Sequence, residues 1–121
     1  MISGLGSDIV EVERIKKAVN DPVTGKRFLK KIFTKNEQAY CFASEKNVYQ
    51  RLAARWAAKE AFYKAWNNSG FGWLDIEIKS TGKAPPYFCF PNFTGSSPVK
   101  AHLSITHTES YAAAFVIAEK T

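Results

Sequence analysis

The longest helical pattern in the chain covers residues 48–66, and it limits the fold more than any other feature. This segment is rich in Ala, Leu, Arg, Lys and Glu and contains neither Gly nor Pro, which favours a helix. The run Asn67-Asn68-Ser69-Gly70 then supplies a typical helix stop. The 121 residues are enough for one domain with a single core, so we predict a single domain over 1–121 with this segment as its main buried helix.

The N-terminal region predicts a short strand followed by a helix. Residues 1–7 are apolar and interrupted by glycine, which favours a brief strand running into a turn. Asp8 and Glu11 have the spacing of a helix N-cap and its N3 partner, and an apolar stripe follows them. We therefore expect a helix that begins at Asp8 and ends near the Asn20-Asp21-Pro22 run.

Two further short helices are predicted before the main helix. Residues 26–33 alternate basic pairs with apolar pairs, as a short amphipathic helix does. Thr34 and Glu37 form a T-x-x-E capping box, which predicts another helix as far as about Ser44.

The C-terminal half predicts strands. Residues 75–79 alternate apolar and charged side chains, residues 87–90 are rich in aromatic residues, and the runs 101–107 and 111–118 have the composition of a hairpin. Helices early and strands late indicate an α+β fold, with helices packed on a small antiparallel sheet.

Composition limits the partners and the compartment. The formal charge is +6, which favours an acidic partner such as nucleic acid, an anionic membrane, a phosphorylated ligand or an acidic protein. The two cysteines, Cys41 and Cys89, show no CxxC spacing and no disulfide framework. The chain shows neither a secretory signal nor an apolar run of the roughly 20 residues that span a membrane. We expect a cytoplasmic protein with no membrane partner.

Several common kinds of active site lack their motifs. The chain has no G-x-x-x-x-G-K-[ST] loop, and Gly4-Leu5-Gly6 is a lone GxG without the context of a dinucleotide fold. Two His and two widely spaced Cys do not provide a usual structural zinc site. No elbow motif supports a nucleophilic serine.

Carboxylates, lysines and a basic surface remain. Trp56, Glu60 and Lys64 lie four residues apart and share one face of the predicted main helix. Such a face could place an oxygen-ligated Mg²⁺ beside a phosphate-binding lysine. The alternative is an ordinary i,i+4 ion pair worth about 0.2–0.5 kcal/mol, and spacing alone favours this simpler interpretation.

Six ordered motifs resemble the holo-[acyl-carrier-protein] synthases, a family of 4'-phosphopantetheinyl transferases. They cover nearly the whole chain, and together they are far more specific than any one of them. The motifs are Gly4-Leu5-Gly6-Ser7-Asp8-Ile9 with Arg14-Ile15; Phe33-Thr34 with Glu37; Arg55-Trp56-Ala57-Ala58-Lys59-Glu60-Ala61 with Lys64-Ala65; Asp75-Ile76-Glu77-Ile78; Gly82-Lys83; and Ser104-Ile105-Thr106-His107 with Tyr111-Ala112-Ala113-Ala114.

The resemblance implies an active site as well as a fold of this family. Asp8 and Glu60 would coordinate Mg²⁺ with the pyrophosphate of coenzyme A, and Lys64 would contact the phosphates. Arg55 would help bind the nucleotide, and His107 would lie near the 3'-phosphate. Without the resemblance, Asp8 would be interpreted as a helix cap, Arg55 as a solvated helix residue and His107 as a structural histidine.

The implied reaction moves the 4'-phosphopantetheine group of coenzyme A to a serine of an apo acyl carrier protein, and it releases adenosine 3',5'-bisphosphate. The family is typically a homotrimer with sites at subunit boundaries. Its carrier protein docks through an acidic helix on the first two helices, which here carry Arg14, Lys17, Arg27 and Lys31. These four cations could alternatively form an ordinary solvated face.

Two segments depart from the family pattern. Tyr63 stands where the family often has a small residue, and Asn67-Asn68-Ser69-Gly70 replaces a more usual glycine-rich turn. The alternative function is a non-catalytic basic module that binds RNA or single-stranded DNA, since the charge and the aromatic residues would suit one. That alternative leaves the match at Asp8, Glu60 and Lys64 unexplained, so we expect no nucleic-acid partner.

Overall fold

A computed structural model describes residues 1–66, 70–81, 83–93 and 97–121. Four helices precede most of the strands, and a short 3₁₀ helix separates the two groups. In chain order the elements are β1 (Ile2–Glu11), α1 (Val12–Asn20), α2 (Gly25–Ile32), α3 (Lys35–Phe42), α4 (Val48–Ala65), the 3₁₀ helix (Trp73–Asp75), β2 (Glu77–Lys79), β3 (Tyr87–Cys89), β4 (Val99–His107) and β5 (Tyr111–Lys120).

The strands form two antiparallel sheets rather than one. The larger sheet has the order β1-β5-β4, and the smaller one pairs β2 with β3. The predicted hairpin is confirmed as β4 and β5, whose ladder runs from Val99↔Lys120 to His107↔Ala112. The prediction of an α+β fold with helices packed on antiparallel strands is confirmed.

Strand β1 is longer than predicted, and the helix cap expected at Asp8 is wrong. The strand continues to Glu11, and α1 begins at Val12. Glu11 occupies the N-cap position but makes no capping hydrogen bond with its side chain. Asp8 pairs with Ala114 and Glu11 with Tyr111 in the ladder to β5, so sheet pairing outweighs the local capping signal.

Helix α4 packs across the larger sheet and contacts β1 very closely. A Cβ atom at Gly4 would lie 1.8 Å from the carbonyl oxygen of Ala65, and one at Gly6 would lie 2.0 Å from that of Ala61. Only glycine allows two backbones to approach this closely. The two glycines of the GxG motif therefore bring β1 onto the C-terminal half of α4, which was predicted as the main buried helix and is buried along most of its length.

A buried ion pair joins α4 to the neighbouring elements. Lys59 Nζ donates to Glu37 Oε1 at 2.7 Å, and it also donates to the carbonyl oxygens of Ile32 and Trp73. Glu37 completes the predicted capping box with Thr34 at the start of α3. Burial lowers the pKa of Lys59, and the charge of Glu37 opposes that shift. Lys59, the lysine of the Ala-Ala-Lys-Glu motif, thus has a structural role.

The opposite face of the larger sheet is uncovered in a single chain. Leu5 is 70% exposed, Ile9 66% and Phe115 51%, and Tyr111 and Ile117 add further apolar surface. Side chains on neighbouring strands are directly opposed there, since Leu5 pairs with Ile117. An apolar sheet face of this kind is unusual for a protein that acts as a monomer.

Two sequence motifs fall partly outside the described residues. The helix stop at Asn67-Asn68-Ser69-Gly70 is described only at Gly70, and Gly82 of the Gly-Lys motif is not described. None of the helices in the described part of the chain is long and apolar enough to cross a membrane.

Candidate active site

The sheet and α4 bring Asp8 and Lys64 together from opposite halves of the chain. Lys64 Nζ lies 3.3 Å from Asp8 Oδ1 and donates to the carbonyl oxygen of Ser7 at 3.1 Å. The Asp8 side chain is 18% exposed and that of Lys64 57%, so the carboxylate is sheltered while the ammonium group faces solvent. The ion pair is therefore open on one side to an incoming anion.

Glu60 lies one turn before Lys64 on α4 and belongs to the same cluster. Burial raises the pKa of Glu60, and the negative charge of Asp8 raises it further. Lys64 and Arg14 act in the opposite direction. Two carboxylates that repel each other in a partly buried site, with cations at its rim, can be stabilised by a divalent cation.

The donor set of this cluster fits Mg²⁺. Carboxylate oxygens are hard ligands, and Mg²⁺ usually takes one or two of them while water and substrate phosphates complete its shell. The described residues contain no group of three or more His, Cys, Asp and Glu side chains placed to hold a metal ion. Asp8 and Glu60 would therefore hold the metal as a pair, with room left for phosphate oxygens.

A second site lies on the other side of α4. Arg55 and His107 line one pocket of about 370 Å³, together with the side chains of Tyr40, Gln50, Arg51 and Ser80. Arg55 and Lys64 are nine residues apart, which places them on roughly opposite faces of the helix. The structure thus brings the two predicted nucleotide-binding residues together, but in a different pocket from the one beside Asp8 and Lys64.

Arg55 is largely buried at the wall of this pocket. It is only 4% exposed, and its Nη1 donates to the carbonyl oxygen of Arg51 at 3.3 Å. Among the buried side-chain nitrogen and oxygen atoms that the structure describes, Arg55 Nε has no hydrogen-bond partner. A buried donor without a hydrogen-bond partner is costly in free energy.

Arg51 is a residue of this pocket that the sequence did not single out. Its guanidinium group lies 4.2 Å from the centre of the Tyr40 ring, and Nη1 donates to the Tyr40 carbonyl oxygen at 2.7 Å. Arg51 stands four residues before Arg55, and that i,i+4 spacing was the available signal.

The four cations predicted to dock a carrier protein are exposed on α1 and α2. Arg14 and Lys17 share one face of α1, and Arg27 and Lys31 share one face of α2, since residues three or four apart are neighbours on a helix. Arg14 also acts electrostatically on Glu60. This basic surface therefore borders the carboxylate cluster through Arg14.

Comparison with known proteins identifies the superfamily of this chain. A model of the 4'-phosphopantetheinyl transferase superfamily matches residues 4–116, which include both glycines of β1 and all nine predicted site residues. The chain belongs to this superfamily. The resemblance found in the motifs is thereby confirmed.

Similar transferases match over nearly their full lengths. Over an alignment of 123 positions, the chain is 43% identical to the holo-[acyl-carrier-protein] synthase of Protochlamydia amoebophila, and the match covers 97% of this chain and 98% of the relative. Over 124 positions it is 46% identical to the enzyme of that name from Chlamydia muridarum, and the match covers 98% of this chain and 95% of the relative. A solved Bacillus anthracis holo-(acyl-carrier-protein) synthase in complex with CoA (3',5'-ADP) superposes with a TM-score of 0.82 at 32% identity, covering 100% of this chain and 99% of that one.

Tyr63, singled out from the sequence as a departure from the family pattern, has structural partners here. Its hydroxyl donates to the carbonyl oxygen of Phe71, and its ring packs edge-on against Trp73 with 4.6 Å between centroids. Burial raises the pKa of Tyr63, with smaller contributions from the charges of Asp75 and Glu60. Tyr63 therefore holds Phe71 and Trp73 against α4 rather than offering a free hydroxyl.

Proposed function

We propose that this chain transfers 4'-phosphopantetheine from coenzyme A to a serine of an apo acyl carrier protein, using the cluster of Asp8, Glu60 and Lys64. The serine oxygen forms a bond to the phosphorus that bears pantetheine, and the bond from that phosphorus to the bridging oxygen of the pyrophosphate breaks. The products are holo acyl carrier protein and adenosine 3',5'-bisphosphate. The close approach of Asp8, Glu60 and Lys64 is the observation that carries the proposal.

Each member of the cluster has a distinct role in the proposal. Asp8 and Glu60 hold Mg²⁺, which neutralises charge on the reacting phosphates when it is bound. Lys64 turns its N–H groups from Asp8 to the phosphates and balances the charge of the leaving group. The serine proton passes to solvent, directly or relayed through Glu60.

The nucleotide end of coenzyme A occupies the other pocket in this proposal. Arg55 supplies a guanidinium group at the pocket wall, and His107 adds an exposed imidazole at the end of β4. Guanidinium groups recognise phosphate through paired N–H donors, so the pocket suits the phosphorylated ribose.

The exposed cations Arg14, Lys17, Arg27 and Lys31 form the proposed docking surface for the carrier protein. Opposite charge on the two partners speeds their encounter and sets their register. Because exposed charges are screened by salt, we expect the KM for carrier protein to rise with ionic strength.

A fatty-acid-synthase carrier is the default acceptor, which would place the reaction in fatty acid biosynthesis and in the cytoplasm. We propose residues 1–121 as one transferase domain.

The uncovered sheet face supports a homotrimer. The pocket beside Asp8 and Lys64 is also lined by Ile9 and Phe115, which belong to that apolar face. Asp8 lies on β1 and His107 on β4, at the two opposite edges of the larger sheet. Three copies arranged in a ring bring the β1 edge of one copy to the β4 edge of the next, which joins the two half-sites and covers the apolar face.

The test is the intact mass of a purified apo acyl carrier protein after incubation with this chain, coenzyme A and Mg²⁺. We expect the mass of one phosphopantetheine group to be added, and EDTA to prevent the addition. A folded protein that adds nothing to several apo carriers would refute the proposal. Gel shifts with generic oligonucleotides under the same conditions would then favour the nucleic-acid-binding alternative.

A further inference from the structure

The nucleotide pocket contains an arrangement that goes beyond a single arginine. The guanidinium groups of Arg51 and Arg55 lie 4.2 Å and 4.3 Å from the centre of the same Tyr40 ring. A cation above an aromatic ring is stabilised by the negative face of that ring. Tyr40 therefore holds two cations at the wall of one pocket.

The position of Arg51 is further fixed by its own hydrogen bond. Nη1 donates to the Tyr40 carbonyl oxygen at 2.7 Å, so one of its five N–H groups is used for anchoring. Arg51 is half-buried and lines the pocket beside Arg55. Because a guanidinium group is planar and rigid, anchoring one side determines where its remaining donors point.

No ion pair neutralises Arg51 or Arg55 in the described part of the chain. Neither Arg51 nor Arg55 forms a salt bridge with a described carboxylate. The thiol of Cys41 lies within the electrostatic reach of both arginines, but it supplies no negative charge. Burial raises its pKa to about 11, so it stays neutral. Two adjacent cations without a counter-ion repel each other, and a ligand with two negative charges relieves that repulsion.

We propose that Arg51, positioned by Tyr40, determines specificity for the 3'-phosphate monoester of coenzyme A. A phosphate monoester carries about −1.5 to −2 charges at neutral pH, and two guanidinium groups match that charge. The inference rests on the proposed function, because it assumes that coenzyme A is the substrate. Arg55 and Arg51 together bind the monoester, and Arg51 gives preference for coenzyme A over dephospho-coenzyme A, which lacks that group.

The first test compares the two substrates with the Arg51→Gln variant. We expect the KM for coenzyme A to rise about tenfold or more, because a charge-assisted hydrogen bond is lost. The kcat with coenzyme A and the KM for dephospho-coenzyme A should each change less than about twofold. Lys120→Gln is the matched control, because it also removes one positive charge from a side chain. Lys120 is exposed and lies at one end of β5, whereas Ala112, which pairs with His107, lies at the other end.

The ratio of the KM for coenzyme A to the KM for dephospho-coenzyme A distinguishes a specificity role of Arg51 from a structural one. Equal increases in KM for both substrates, or no increase for either, would overturn the inference. Arg51→Lys keeps the charge but loses the planar group, so it should recover part of the preference for coenzyme A. It also serves as the test variant if Arg51→Gln does not fold.

A binding measurement makes the inference independent of turnover. By calorimetry, the unmodified protein should bind adenosine 3',5'-bisphosphate more tightly than adenosine 5'-monophosphate, and Arg51→Gln should abolish most of that difference. An unmodified protein that shows this difference but transfers nothing would refute the proposed reaction and leave the inference standing. Transfer activity with an unchanged difference in Arg51→Gln would refute the inference alone.

Discussion

At the scale of single residues, the charge of Glu60 connects stability with function. Its pKa is raised above the ordinary value of 4.5, first by burial and then by Asp8. An acid with a raised pKa in the folded state stabilises the fold while it is protonated, below the unfolded pKa. That stability is lost as the pH rises through the folded pKa. At neutral pH, ionised Glu60 is therefore a destabilising residue until a cation binds.

The substitution Glu60→Gln tests whether the ionised carboxylate of Glu60 lowers stability while it supports activity. Without Mg²⁺ at pH 7, we expect its Tm to lie above that of the unmodified protein, and the difference should vanish below pH 4 or so. Transfer activity should fall by about a hundredfold or more. Mg²⁺ should raise the Tm of the unmodified protein but have little effect on the variant. Glu45→Gln, at an exposed carboxylate between α3 and α4, is the control; full activity in Glu60→Gln would contradict the metal assignment.

Lys59 provides the second residue-scale prediction. Removing its charge by Lys59→Met leaves Glu37 buried without a counter-ion, which should lower the free energy of unfolding by about 3–5 kcal/mol. Adding Glu37→Gln to this variant should recover part of the loss, because the amide is neutral and its one carbonyl oxygen still accepts from either Thr34 N–H or Ile78 N–H. Urea unfolding measures both effects. Lys26→Met, at an exposed site, should be close to neutral; a similar loss there would contradict the role of the buried pair.

At the scale of elements, β1 reaches α4 only because of its glycines. In Gly6→Ala the new Cβ would meet the Ala61 carbonyl oxygen at 2.0 Å, and neither backbone can move easily. We expect the free energy of unfolding to fall by about 1–3 kcal/mol. Transfer activity should fall further than stability, because β1 carries Asp8 towards Lys64. Thermal melting and the mass assay test the two effects, with exposed Ser7→Ala as the control on the same strand; unchanged activity in Gly6→Ala would contradict the coupling.

The same contact shows how far the sequence could predict the site. Glu60 and Lys64 could be paired from their spacing alone, because a helix repeats every 3.6 residues. Asp8 lies 52 positions before Glu60, and their proximity depends on sheet pairing and close packing that no local pattern encodes. The family resemblance supplied that link, and the glycines of the GxG motif explain it physically.

The elements themselves were predicted unevenly for a related reason. α4 and the β4–β5 hairpin have strong local signals, and both were found close to their predicted limits. The cap signal at Asp8 and Glu11 was equally clear but was overruled by pairing with β5. Arg51 was overlooked because its importance comes from a shared contact with Tyr40, which only the packing of α3 against α4 creates.

At the scale of the whole molecule, the two half-sites on opposite faces of α4 predict complementation between variants. Glu60→Gln damages one half-site and Arg55→Ala the other. If neighbouring copies share each site, co-refolding equal amounts of the two inactive variants should restore about a quarter of the unmodified activity, because one arrangement of neighbours in four is intact. Zero recovered activity would indicate that each chain builds its own site. Adding Phe115→Asp to both variants should abolish the recovery, whereas Val23→Asp, at another exposed apolar residue, should not.

In the proposed trimer, the uncovered sheet face would also tie the output of this protein to its own abundance. A chain outside the trimer would lack the second half of its site, so the share of chains able to react would depend on how often copies meet. Near the assembly threshold, halving the amount of protein lowers total turnover by more than half. Dilution then lowers the turnover per chain. Small changes in synthesis or degradation of the chain therefore become larger changes in the supply of active carrier.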